Sequence, residues 1–155
     1  MGHVRKVVLI DAPPEGVWDV LRDADRLPEW NEELVAVKDV SGPLDHPGAG
    51  YTQVMSFAGR RVEGRFEVTA AEYLKGREIE ATPPLMRYAR GRDRLEPREG
   101  GTEVTVELDY ELKGGAFGRL LDAVFLRRMM ERTFERNGHN LKRLIERPPR
   151  LKTRG

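Results

Sequence analysis

The sequence has 155 residues, 39% of them hydrophobic and 34% charged, which suits one domain with an apolar core of its own and is short for two. The absence of cysteine excludes disulfides, thiol nucleophiles, iron–sulfur clusters and cysteine zinc sites, and fits a reducing compartment. A balance of 27 basic against 26 acidic residues, net +1, lacks the strongly basic character of a dedicated nucleic-acid binder, and no run of about 18 apolar residues is present to cross a membrane as a helix.

In chain order, residues 3–11 (His-Val-Arg-Lys-Val-Val-Leu-Ile-Asp) are rich in β-branched residues and predict a first strand. Ala12-Pro13-Pro14-Glu15 then opens a helix, because proline fits a first helical turn and Glu15 suits the positive end of the helix dipole. Val17, Trp18 and Leu21 make its apolar face. Residues 23–31 form a second short helical or turn segment, ending in Leu27-Pro28-Glu29-Trp30. From Leu34 to Leu112 the period changes to two. Segments near 34–41, 50–58, 61–74, 77–82, 86–96 and 102–113 alternate, with turns at Gly42-Pro43, Gly48-Ala49-Gly50, Gly59, Gly76, Pro83-Pro84 and Gly100-Gly101. The clearest is 102–112, where Thr102, Val104, Val106, Leu108, Tyr110 and Leu112 share one face and five polar residues, four of them acidic, share the other.

Residues 116–146 return to a helical period. Met130, Phe134, Leu141, Leu144 and Ile145 form one stripe, while Phe117, Leu120, Leu121 and Val124 form another, rotated by about a third of a turn. Either the helix bends near 126–128 or its first half meets a second surface. Pro148-Pro149 stops it. Arg147, Arg150, Lys152 and Arg154, with no acid among them, then give a basic end to an otherwise acidic chain, so residues 1–147 are expected to be one domain and 148–155 a disordered tail. The N-terminus lacks the long apolar stretch of a signal peptide, and a cytoplasmic location is expected. The order strand, two short helices, six strands, long helix predicts an α+β architecture. A curved antiparallel sheet of about seven strands wraps the C-terminal helix, the one element long enough to cover it.

The opening Ile10-Asp11-Ala12-Pro13-Pro14-Glu15-Gly16-Val17-Trp18-Asp19-Val20-Leu21 resembles the START-like, or Bet v 1-like (SRPBCC), superfamily that includes polyketide cyclases/dehydrases. The resemblance continues through Asp23-Ala24-Asp25-Arg26-Leu27-Pro28-Glu29-Trp30-Asn31, the Gly100-Gly101-Thr102-Glu103-Val104 hairpin and the long last helix, and covers residues 3–147. It implies a helix-grip fold enclosing a hydrophobic cavity, used by different members for lipids, polyketides, quinones or hormones. Some members catalyse cyclisation or dehydration and many only bind or transport, so the resemblance does not choose an activity.

Catalytic templates are absent. Ser41 and Ser56 are the only serines and neither sits in G-x-S-x-G; His3, His46 and His139 are far apart and give no metal spacing; no phosphate or dinucleotide loop occurs. Neither a metal nor a cofactor is expected. Functional capacity therefore falls to the inward face of the strands. Pairing Leu95 with Val104 across the 97–101 turn points Arg87, Ala89, Gly91, Asp93 and Leu95 inward and Arg90, Arg92 and Arg94 outward. The opposite register would bury three arginines. The expected cavity lining comprises Tyr51, Gln53, Met55 and Phe57, then Phe66, Ile79, Arg87 and Asp93, then Val106, Leu108 and Tyr110, with Phe117, Leu121, Met130 and Phe134 from the last helix. Gly64 and Gly91 would widen the interior unless they mark bulges. If the protein is an enzyme, Tyr51, Arg87, Asp93 and Tyr110 are the acid–base candidates.

The leading expectation is a binding protein for a lipid, polyketide or isoprenoid-like molecule, monomeric or weakly dimeric, with no nucleic-acid partner. A cyclase/aromatase acting in the same cavity is the first alternative. The second is an interaction module using Phe117, Leu121 and Val124 as a dimer or membrane contact.

Overall fold

The computed structural model describes residues 2–57, 59–82, 86–121 and 125–146. The tail expected at 148–155 lies outside them, as does Val124. The elements are β1 (Gly2–Ile10), α1 (Pro14–Leu21), a 3-10 turn (Ala24–Arg26), α2 (Leu27–Trp30), β2 (Leu34–Lys38), β3 (Gly50–Phe57), β4 (Arg60–Glu72), β5 (Gly76–Thr82), β6 (Met86–Arg98), β7 (Gly101–Leu112), α3 (Gly115–Leu121) and α4 (Arg127–Glu146). The seven strands form one antiparallel sheet in the order β1-β7-β6-β5-β4-β3-β2. β1 and β2 are its two edges, and α1 and α2 carry the chain from one to the other. The predicted α+β helix grip is the observed fold.

Pro14 stands in the first turn of α1 with Glu15 beside it, as the sequence predicts. Val17, Trp18, Val20 and Leu21 turn inward and join Ile10, Leu95, Val104 and Leu141 in one core cluster. Asp23 caps the following turn by accepting from the Asp25 amide at 3.1 Å. The β6–β7 hairpin has Leu95 opposite Val104, as expected. Gly101 closes it at φ 141°, with its α-carbon so close to the Ile10 carbonyl that no side chain fits. The buried Thr102 donates its hydroxyl to the Ala12 carbonyl at 2.7 Å, fastening the hairpin to the start of α1.

The C-terminal helical region is not one uniform helix. A π-helical turn at Phe125 and Leu126 leads into α4, and its extra residue falls where the apolar stripe rotates. α4, 20 residues and about 30 Å long, packs along β1 and against α2. α3 meets the end of β7 through Gly118, at which a Cβ would stand 2.6 Å from the Lys113 carbonyl oxygen. Among the described residues no helix is long and apolar enough to cross a membrane.

Candidate functional site

The concave face of the sheet faces α4. Tyr51 and Val68 on the β3–β4 side and Val4, Ala89 and Tyr110 on the β1–β7 side are buried. Between them the inward side chains of Gln53, Met55, Phe66, Ile79, Val106 and Leu108 are only half-buried, as are Met130 and Phe134 of α4. A filled core would bury these residues completely. Gly91 sits in this region in a regular ladder between Ile79 and Leu108, with no bulge. A Cβ there would meet nothing nearer than 3.9 Å. Gly91 therefore leaves space, and it is bulges elsewhere, at 34–36, 68–70 and 86–88, that bend the sheet.

A cavity of about 380 Å³ opens between β1, β7, α2 and α4. Val8, Val106, Phe134 and Leu141 are its apolar walls, and Lys6, Trp30, Asn31 and Asn137 supply polar groups. Val106 and Phe134 belong to the lining predicted from sequence. A larger open groove of about 1090 Å³ runs between the β4–β5 turn and β6 and is bordered by many charged side chains, including Glu72, Lys75, Arg94 and Glu96. Phe57 is a member of β3 whose side chain lies outside the description.

The four acid–base candidates do not converge. Tyr51 is stacked on Phe66, with ring centroids 5.4 Å apart. Its hydroxyl accepts from Gln53 Nε2 at 3.2 Å, and burial pushes its pKa up. Tyr110 is fully buried, its ring pressed so closely on Gly2 that a side chain there would collide with it. Asp93 points inward as expected, but its partner is Arg77 on β5, a residue the sequence reading passed over. Arg77 donates to Asp93 Oδ2 through Nη2 at 2.7 Å and Nε at 3.0 Å. Its Nη1 donates to the Leu21 and Leu44 carbonyls at 2.8 and 3.0 Å. The pair thus ties β5 and β6 to the end of α1 and to the loop before β3.

Arg87 corrects the sequence expectation: it is exposed. β6 carries an extra residue between Met86, opposite Leu112, and Tyr88, opposite Glu111. That bulge reverses the parity upstream of Ala89, whereas Arg90, Arg92 and Arg94 face out as expected, Arg92 pairing with Asp109 at 3.0 Å. Phe117 and Leu121 also differ from expectation. They are 73% and 49% exposed and face away from the sheet, because α3 packs through Gly118 and turns its large apolar residues outward.

A second buried polar cluster was not anticipated. Asn137 on α4 donates from Nδ2 to both Glu33 oxygens at 3.2 Å and to Asn31 Oδ1 at 3.1 Å, and its Oδ1 accepts from the Glu32 amide. Burial pushes the Glu33 carboxyl above the ordinary glutamate value, with the hydrogen bond from Asn137 opposing the shift. Among the described residues no cluster of three or more metal-ligating side chains occurs.

The fold is that of the START-like, Bet v 1-like (SRPBCC) superfamily. Residues 1–146 match the family model described as polyketide cyclase / dehydrase and lipid transport, and the chain belongs to that family. Its structure is similar to that of TTHA0849 from Thermus thermophilus, 24% identical over 93% of this chain and 97% of that one, with a TM-score of 0.76. A START superfamily protein from Mycobacterium smegmatis is 17% identical over 93% and 97% of the two chains, at a TM-score of 0.75. The ZhuI aromatase/cyclase from Streptomyces sp. R1128 is 16% identical over 92% and 95%, at 0.69. No curated protein matches the chain in sequence.

Proposed function

We propose that the protein binds a hydrophobic small molecule, a lipid, polyketide or isoprenoid-like compound, between the concave face of the sheet and α4. The observation that supports this most is the set of inward-facing apolar residues left half-buried, Met55, Phe66, Ile79, Leu108 and Phe134 among them. Each Å² of that surface covered by ligand contributes about 25 cal/mol before ordering costs. Binding is favoured over catalysis because Tyr51 is hydrogen-bonded, Asp93 is held by Arg77, Arg87 is exposed and Tyr110 is buried. The protein is read as cytoplasmic and as a monomer or weak homodimer. Native mass spectrometry of the purified protein, followed by solvent extraction and a panel of neutral apolar probes, tests the reading. A bound apolar molecule or micromolar probe binding is expected. An empty protein that binds nothing in the panel contradicts it.

A second reading keeps to α3. Phe117, Leu120, Leu121 and Phe125 are all about half exposed or more. Arg119, Arg127 and Arg128 are exposed beside them, and Asp122 is the one acid in the sequence from 113 to 130. Apolar side chains flanked by cations suit an anionic lipid surface.

A further inference from the structure

β1 alternates so that Gly2, Val4, Lys6, Val8 and Ile10 share the inner face. Lys6 is the one charged residue in that file. It stands opposite Val106 in the ladder and borders the 380 Å³ cavity with Val8, Phe134 and Leu141. Lys6 is half-buried, and among the described residues no carboxylate lies within ion-pair distance of its ammonium. Glu135 borders the same cavity but is exposed and forms no ion pair with Lys6. His139, the other titratable neighbour, is exposed too.

The remaining polar groups here are donors without acceptors or are already engaged. Trp30 borders the cavity, and its Nε1 is a buried donor that finds no acceptor. A donor in that state costs about 1–3 kcal/mol relative to a bonded one. Asn31 donates to the Leu27 carbonyl at 3.0 Å, and its oxygen accepts from Asn137, whose amide also bonds Glu33 and the Glu32 backbone N–H. The cavity thus combines apolar walls with a cation that, among the described residues, no side-chain carboxylate pairs with.

We propose that this end of the interior is the head-group subsite for a carboxylate, so that the ligand class is an apolar acid, with Lys6 as its counter-ion. The proposal rests on the reading of the interior as an apolar ligand site. Lys6 reaches the carboxylate from β1, while the tail lies along Val106 and Phe134 toward the half-buried residues of β3–β6.

The test uses the full chain with dodecanoate and its methyl ester, which share a tail and differ in charge, titrated by calorimetry against wild type, Lys6→Met and Lys6→Arg. Circular dichroism melts check that each variant is folded. Wild type is expected to bind dodecanoate at least tenfold more tightly than the ester. Lys6→Met should abolish that preference, and Lys6→Arg should keep most of it. Raising the salt concentration should narrow the gap. Equal binding of acid and ester by wild type, or a preference that survives Lys6→Met, overturns the carboxylate subsite while leaving the apolar site standing. Failure of both ligands to bind overturns the apolar site and the subsite together.

Discussion

Arg77 is 6% exposed and its side chain meets three segments: Asp93 on β6, the end of α1 and the loop residue Leu44. A guanidinium removed from water is tolerable here because a carboxylate and two carbonyls face its donors. Arg77→Met leaves Asp93 and both carbonyls without their donor, so a loss of about 3–5 kcal/mol is expected in denaturant unfolding. Apolar probe affinity should hold at temperatures where the variant is folded, since the pair positions the sheet and does not contact the ligand. Glu33 gives the opposite pH signature to most carboxylates. Burial raises its folded-state pKa above the ordinary 4.5, so its contribution is fully present below that pH and is lost as pH rises through the folded value. Glu33→Gln is therefore expected to raise the melting temperature at pH 7 by a few degrees and to remove the part of the stability loss that begins above pH 4.5; an unchanged pH profile would contradict this. Arg77 illustrates what the sequence left hidden. It shares parity with Ile79, which the alternation points inward, but its carbonyl partners lie 56 and 33 residues away, beyond any local pattern. Lys6 had a readable signal, the inward file of β1, once the strand's parity was set by its buried ends.

Among the elements, those fixed by short-range chemistry were legible. Proline at the start of α1, glycines at the hairpin ends and the alternation of β7 predicted their segments within a few residues. The faces of β6 were legible from Ala89 onward and misread at Arg87, because a one-residue bulge leaves no mark in the alternation of charged residues. The change of stripe near residue 126 was visible in the sequence, and a π-helical turn stands there at Phe125 and Leu126. α3 is the element whose role its sequence pattern misled: an apolar i, i+4 pair normally faces a core, whereas here Gly118 is the contact and Phe117 and Leu121 face out. If this face meets an anionic membrane, the protein should sediment with phosphatidylglycerol-containing vesicles and not with pure phosphatidylcholine. Leu121→Glu should cut the bound fraction several-fold without moving the melting temperature, and light scattering should find the same mass for the variant and wild type. Sedimentation unaffected by Leu121→Glu, or absent with both vesicles, would contradict that role.

For the molecule as a whole, three buried clusters hold the sheet, one of them Val4, Ala81, Ala89 and Tyr110 with Phe66, Leu108, Met130 and Phe134 packed against it. A second joins α1, Leu141 and the β6–β7 hairpin, and the third includes Leu44, Tyr51 and Val68. Between the clusters, inward side chains such as Met55 and Ile79 stay half-buried, and this is the surface the proposed ligand would cover. Gly91 lies on β6 in an unbroken ladder, where a Cβ would meet nothing nearer than 3.9 Å. Gly91→Leu adds apolar volume to the interior and strand propensity to β6, so the two consequences of a filled interior, on stability and on binding, separate cleanly. The most direct measurement is the affinity of a neutral apolar fluorophore, N-phenyl-1-naphthylamine, for wild type and Gly91→Leu, with thermal melts of both. An interior ligand site predicts a fold as stable as wild type or more so and a loss of affinity of at least tenfold. Equal affinity in the two proteins, with Gly91→Leu fully folded, would show that the apolar ligand binds elsewhere and would contradict the account.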